Sequence, residues 1–136
     1  EFDIIVYLEP TSPLTTCHDI DLGIESLLKN PKARSIVSIS ESPTHHPEYA
    51  IIMDNNNLIK PLLKNSFSEI KINRQDLDKV YFFDGSLYIS YTDTFIKEKE
   101  FYHKQTMGLI LDESKAVEID NQFDLKIVKI LIDERQ

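Results

Sequence analysis

The sequence predicts an α/β fold, and three observations carry that expectation. A short apolar run, an amphipathic helical segment and a β-rich run follow one another within the first forty residues. Strand and helix patterns alternate again toward the end of the chain. The 136 residues, 41% of them hydrophobic, match one domain with a modest core.

The elements follow in order. Ile4 to Leu8 reads as a buried strand, apolar on both faces. Thr16 caps a helix, with Asp19 as a capping-box partner, and Ile20, Ile24, Leu27 and Leu28 share one helical face. Asn30-Pro31 stops that helix. Ser35 to Ser40 reads as a second strand, so the opening forms a right-handed βαβ unit. Ser42 to Pro47 is a loop fenced by prolines. Tyr49 to Met53 reads as a strand ending at the Asp54-Asn57 turn. Leu58 to Asn73 carries no clear pattern. Val80 to Phe83 and Ser86 to Tyr91 flank Asp84-Gly85, which makes either a hairpin or a sharp bend in one long strand. Thr92 caps a short helix through Glu98, and Met107 to Leu111 is another strand. Asn121 caps the last helix, whose apolar face is Phe123, Ile127, Ile130 and Leu131.

The formal net charge of -8 disfavours a nucleic-acid partner, because no basic stripe offsets it. No apolar run approaches the roughly 20 residues that cross a bilayer, so no membrane partner is expected. Cys17 is the single cysteine; with no internal disulfide to form, it suits a reducing compartment, the cytoplasm. No signal peptide is visible. The chain starts almost directly on a candidate core strand, and an upstream neighbour strand is the expectation.

Three stretches have the residue types of a polar-ligand site. Glu9, Thr11 and Ser12 follow the first strand, where ligands sit in open α/β sheets, and Pro10 and Pro13 stiffen the loop. A capped strand-to-helix connection explains the same residues. Glu118 and Asp120 face one way if their segment is extended, and two such carboxylates can hold Mg²⁺ against a polyphosphate. Alternatively, Asp120 caps the last helix and Glu118 is merely solvated. Arg74 can clamp a carboxylate in bidentate fashion or stand in solvent. His45-His46 lacks zinc-like spacing to His18 or His103, Cys17 reads as a small buried residue, and no glycine-rich phosphate loop is present.

Together, "LEPTSPLTTCHDID", "SIVSISESPTHHPEYAI", "RQDLDKVYFFDGSLYIS" and "EIDNQFDLKIV" resemble the C-terminal part of the acylneuraminate cytidylyltransferases. These activate nonulosonic acids such as sialic, legionaminic and pseudaminic acid as CMP conjugates. The resemblance implies a Rossmann-like nucleotidyltransferase domain over residues 1–136, with an arm-like dimerisation insertion at about 54–79 and a homodimer. It implies transfer of CMP from CTP to a sugar acid with Mg²⁺ or Mn²⁺, for bacterial surface or flagellar glycans. By position, Glu118 and Asp120 take the metal and catalytic role. Glu9, Thr11, Ser12, Arg74, Gln75, Asp84 and Gly85 take the substrate-binding role.

The departures from that pattern are specific. Thr15 stands where an arginine usually follows the PTSPL stretch. Phe82-Phe83-Asp84-Gly85 replaces an Arg-Pro-Asn-Gly segment, and Glu118 replaces an aspartate. The family's first strand and its glycine-rich, basic nucleotide loop are not in this sequence, so little activity is expected of the chain alone. More carboxylates and fewer arginines suit a sugar with a cationic, amidine-type substituent facing Glu9 or Asp84. The alternative is a non-catalytic relative that binds a sugar acid or a protein.

Overall fold

The computed structural model describes residues 2–41, 45–71 and 73–134. The loop expected at Ser42-Pro43-Thr44 lies outside them, as does Ile72 of the unpatterned stretch. The described chain forms two compact units, one from residues 1–40 and 82–136 and one from 41–81. The segment 54–79 lies inside the second.

The first unit is α/β, built on a mixed four-stranded sheet. Its strands are β1 (Ile4–Leu8), β2 (Ser35–Glu41), β5 (Tyr81–Tyr91) and β6 (Thr106–Ile110), in the order β1-β5-β2-β6. β1 runs antiparallel to β5, with Leu8 opposite Leu87, and β2 runs parallel to β6. The helices are α1 (Cys17–Lys29), α2 (Thr92–Glu98) and α3 (Gln122–Asp133). β1, α1 and β2 follow one another as expected, yet β5 is inserted between the two strands. No local pattern encodes such an insertion, because β5 begins only at Tyr81, far beyond the end of β2 at Glu41.

The capping signals at α1 and α3 hold. Thr16 Oγ1 accepts from Asp19 N–H and donates to Asp19 Oδ2, whose carboxylate also accepts from Thr16 N–H, giving a complete capping box. Asn121 and Asp124 repeat the arrangement at α3. Where α1 crosses the sheet, Gly23 has no room for a side chain. A Cβ there would stand 2.7 Å from Ile89 Cδ1 and 3.3 Å from Leu87 Cδ2. That close approach seats the helix on a core of Leu27, Ala33, Ile36, Leu87, Ile89, Leu109 and Leu111.

Several expectations fail, for tertiary reasons. β1 is buried on neither face from Val6 onward: Val6, Tyr7 and Leu8 are exposed because β1 is an edge strand. In α1, Leu28 turns outward, and Gly23 and Leu27 take the buried stripe. In α3 the buried residue is Val128, whereas Phe123 and Ile130 are exposed. Thr92 does not cap α2; Tyr91 occupies the cap position without a side-chain bond. Cys17 is exposed. Asp84-Gly85 is not a hairpin. It is a bend within the continuous β5, with Gly85 at φ 71°.

The second unit holds β3 (Ile51–Met53) and β4 (Ile59–Pro61), an antiparallel hairpin. Asp54 Oδ1 closes its turn by accepting from Asn56 N–H at 2.8 Å and Leu58 N–H at 2.9 Å. Ile51, Ile52, Met53, Leu58, Ile59, Leu62 and Leu63 are all exposed.

Candidate functional site

The site grows from the end of β1. There the chain leaves the sheet through Glu9 and turns, with Ser12 N–H donating to Glu9 O at 3.0 Å. Pro10 and Pro13 restrict this turn. Ser12 is buried and Thr11 half-buried. The segment before α3 returns to the same place: Ile119 N–H donates to Thr11 O at 2.9 Å. This backbone bond brings Glu118 to the turn, and Thr11 Oγ1 donates to Glu118 Oε1 at 3.3 Å.

Around Glu118 the charge is one-sided. Burial pushes its carboxyl above the ordinary value, the charges of Asp120 and Glu9 add to that, and the Thr11 hydroxyl opposes them. Among the described residues, no lysine or arginine forms an ion pair with Glu9, Glu118 or Asp120. Glu9 is held from the other side, where Tyr88 Oη donates to its Oε1 at 3.0 Å. Burial, Tyr102 and Glu9 push the Tyr88 phenol far up, so it stays a donor. Tyr88 itself is braced in an aromatic cluster with Tyr7, Phe101 and Tyr102.

Gly85 packs against the same carboxyl: a Cβ there would meet Glu118 Cδ, Oε1 and Oε2, each at 3.3 Å. Its neighbour Asp84 points elsewhere. Asp84 is buried, and its Oδ1 accepts from Ser38 Oγ and from Ser86 N–H.

The structure therefore brings together Glu9, Thr11, Gly85, Glu118 and Asp120, with Ser12 and Asp84 buried alongside in the same unit. Arg74 and Gln75 belong to the second unit. They sit in a single helical turn and line a cavity of about 330 Å³ with His46, Leu77 and Asp78. Sequence reasoning missed Tyr88 and Ser38. The signal for Ser38 was a polar residue inside an apolar strand; for Tyr88 it was the β1–β5 register, invisible before the fold.

Hard oxygen donors in this arrangement suit a hard divalent cation. Among the described residues, no three or more His, Cys, Asp or Glu side chains converge to hold a metal. A pair of carboxylates such as Glu118 and Asp120 is the protein share usual where phosphate oxygens complete a Mg²⁺ shell.

No family model matches the sequence. Individual proteins do. The chain is 27% identical over 135 residues to the post-translational flagellin modification protein B of Campylobacter coli, covering 99% of this chain and 55% of that protein. It is 29% identical over 136 residues to the CMP-N,N'-diacetyllegionaminic acid synthase of Legionella pneumophila, covering 99% and 56%. It is 25% identical over 119 residues to an N-acylneuraminate cytidylyltransferase of Streptococcus agalactiae, covering 88% and 28%. The chain spans about half the length of the first two relatives. Among the described residues, no helix is long and apolar enough to cross a membrane. Over nearly its whole length, then, the sequence is similar to proteins named as a CMP-legionaminic acid synthase and an N-acylneuraminate cytidylyltransferase, and it spans only part of the length of each.

Proposed function

We propose that this chain supplies the acidic part of a cytidylyltransferase site that transfers CMP from CTP to the anomeric hydroxyl of a nonulosonic acid, in cytoplasmic synthesis of bacterial surface or flagellar glycans. The observation that carries this reading is that Glu118 lies against the Thr11 turn with the charges of Asp120 and Glu9 acting on it, and that no lysine or arginine among the described residues forms an ion pair with the three. Such a cluster repels itself unless a cation joins it. The relatives' names supply the substrate class.

In this reading Glu118 and Asp120 hold Mg²⁺ or Mn²⁺, which when bound neutralises the charge of the α-phosphate. The remaining work is positioning. Thr11 orients the Glu118 carboxyl, and Tyr88 fixes Glu9. Arg74, with Gln75, pairs with the carboxylate of the sugar acid. The exposed apolar side chains of the β3–β4 hairpin make a homodimer the expected assembly.

The test is Mn²⁺ titration of the chain, followed by water-proton relaxation. Saturable binding that Glu118→Gln and Asp120→Asn each weaken by about tenfold or more is expected. Binding unchanged in both variants, or absent from the native chain, defeats the reading. Sedimentation of the chain and of a Met53→Asp variant tests the dimer: association is expected in the first and its loss in the second.

The alternative is a non-catalytic relative that binds a sugar acid. The feature favouring it is that Phe82 and Phe83, where the family pattern has an arginine and a proline, are exposed aromatic side chains. Sugar-acid binding that persists without any divalent cation and without CTP would select it.

A further inference from the structure

Asp84 and Gly85 invite a role different from ligand contact. Asp84 is 6% exposed, and its bonds go inward. Its Oδ1 accepts from Ser38 Oγ and, at 3.0 Å, from Ser86 N–H. Bonding the amide two residues ahead makes an Asx-type turn, with Gly85 as its central residue. Ser38 Oγ also accepts from Leu87 N–H at 2.9 Å, taking the place of a backbone acceptor in the sheet ladder. Three bonds thus pin β5 on either side of Gly85, which sits at φ 71°. That conformation favours glycine.

What faces the glycine is the end of the Glu118 side chain. Its Cδ and both carboxyl oxygens would lie 3.3 Å from a Cβ at residue 85, tighter than ordinary van der Waals contact. Three atoms at one distance mean that the flat carboxyl group lies against the missing side chain.

We propose that Gly85 is a positioning residue: clamped by Asp84 and Ser38, it provides the seat on which the Glu118 carboxyl rests, and through that seat it sets the affinity of the site for a divalent cation. The final clause rests on Glu118 being a cation ligand, as argued above. The seat itself does not. Asp84 then serves the site without touching a ligand.

The experiment uses the whole chain and two readouts. One is the side-chain carboxyl ¹³C resonance of Glu118, identified by its loss in Glu118→Gln. The other is Mn²⁺ affinity by water-proton relaxation. Gly85→Ala is expected to displace the resonance and weaken Mn²⁺ binding by about tenfold, the usual size of an outer-shell effect. Gly85→Asn does the same with less backbone strain, because asparagine tolerates the left-handed region. Ser38→Ala loosens the clamp without adding an atom and is expected to displace the resonance by a smaller amount. Glu118→Asp shortens the side chain and makes room for a Cβ. The double variant Gly85→Ala/Glu118→Asp is therefore expected to bind Mn²⁺ as well as Glu118→Asp alone.

An unmoved Glu118 resonance in Ser38→Ala and in whichever residue-85 variant folds overturns the seat, whether or not Mn²⁺ binds. Losses that multiply in the double variant also overturn it. A displaced resonance in a chain that binds no Mn²⁺ leaves the seat standing and removes the cation role.

Discussion

Thr11 and Glu118 are 107 positions apart in sequence, yet the hydroxyl of one donates to the carboxyl of the other at 3.3 Å. The backbone bond from Ile119 to Thr11 O, 2.9 Å long, holds the two segments together. Among the described residues, Thr11 is the neighbour that favours the ionised form of Glu118 against burial, Asp120 and Glu9. Thr11→Val keeps the shape of the side chain and removes the donor. The Glu118 carboxyl is expected to titrate still higher, as read from its ¹³C resonance, and Mn²⁺ affinity near pH 6 to fall several-fold.

Glu118 also makes a stability prediction. Its folded pKa lies above the ordinary value of 4.5, so the folded chain holds its proton more tightly than the unfolded chain does. The favourable contribution is complete below the unfolded value and is lost as pH rises through the folded one. At neutral pH without metal, the charged group is therefore a cost. Glu118→Gln is expected to raise Tm by about 3 °C at pH 7, with the gain vanishing as pH falls below 4.5. Added Mg²⁺ is expected to stabilise the native chain and not the variant. Thermal scans across pH, with and without the metal, check both statements.

Asp19 behaves in the opposite sense. Burial alone would raise its pKa, but the Lys115 ammonium at 2.6 Å and the Thr16 donors outweigh it and hold the carboxyl below its ordinary value of 3.8. Its contribution is present above that value and is lost as pH falls through the folded one. The residue is 3% exposed and caps α1 as well. Asp19→Ala is expected to cost about 2–4 kcal/mol in urea unfolding at pH 7, and Lys115→Met about 2 kcal/mol. The two losses do not add when combined, because each variant already breaks the pair.

Asn121 accepts from Phe123 N–H at 2.8 Å and from Asp124 N–H at 3.2 Å at the head of α3. Asn121→Ala is expected to cost about 1 kcal/mol. Hydrogen exchange locates the effect in the first turn of α3; uniform loss of protection across the sheet would contradict it.

The sequence by itself determined the elements whose signals are local. Thr16 with Asp19, and Asn121, announce helix starts, because caps are closed by residues two or three apart. The first strand, the first helix and the second strand are legible in the same way, and the likeness to cytidylyltransferases drew Glu9, Thr11, Ser12, Arg74, Gln75, Asp84, Gly85, Glu118 and Asp120 into one proposed site. Only the tertiary structure decided which apolar faces are covered. Leu28 and Phe123 fit the helical period as well as their buried neighbours do, and period alone does not say what lies opposite. The insertion of β5 between β1 and β2 exposed Val6 to Leu8 as an edge, and it aligned Leu87 with Leu8 so that Tyr88 reaches Glu9. It also left the choice at Asp84-Gly85, hairpin or bend, to Ser38, a residue 46 positions away. Contacts at that separation depend on the whole chain having closed, so no window of neighbouring residues contains them.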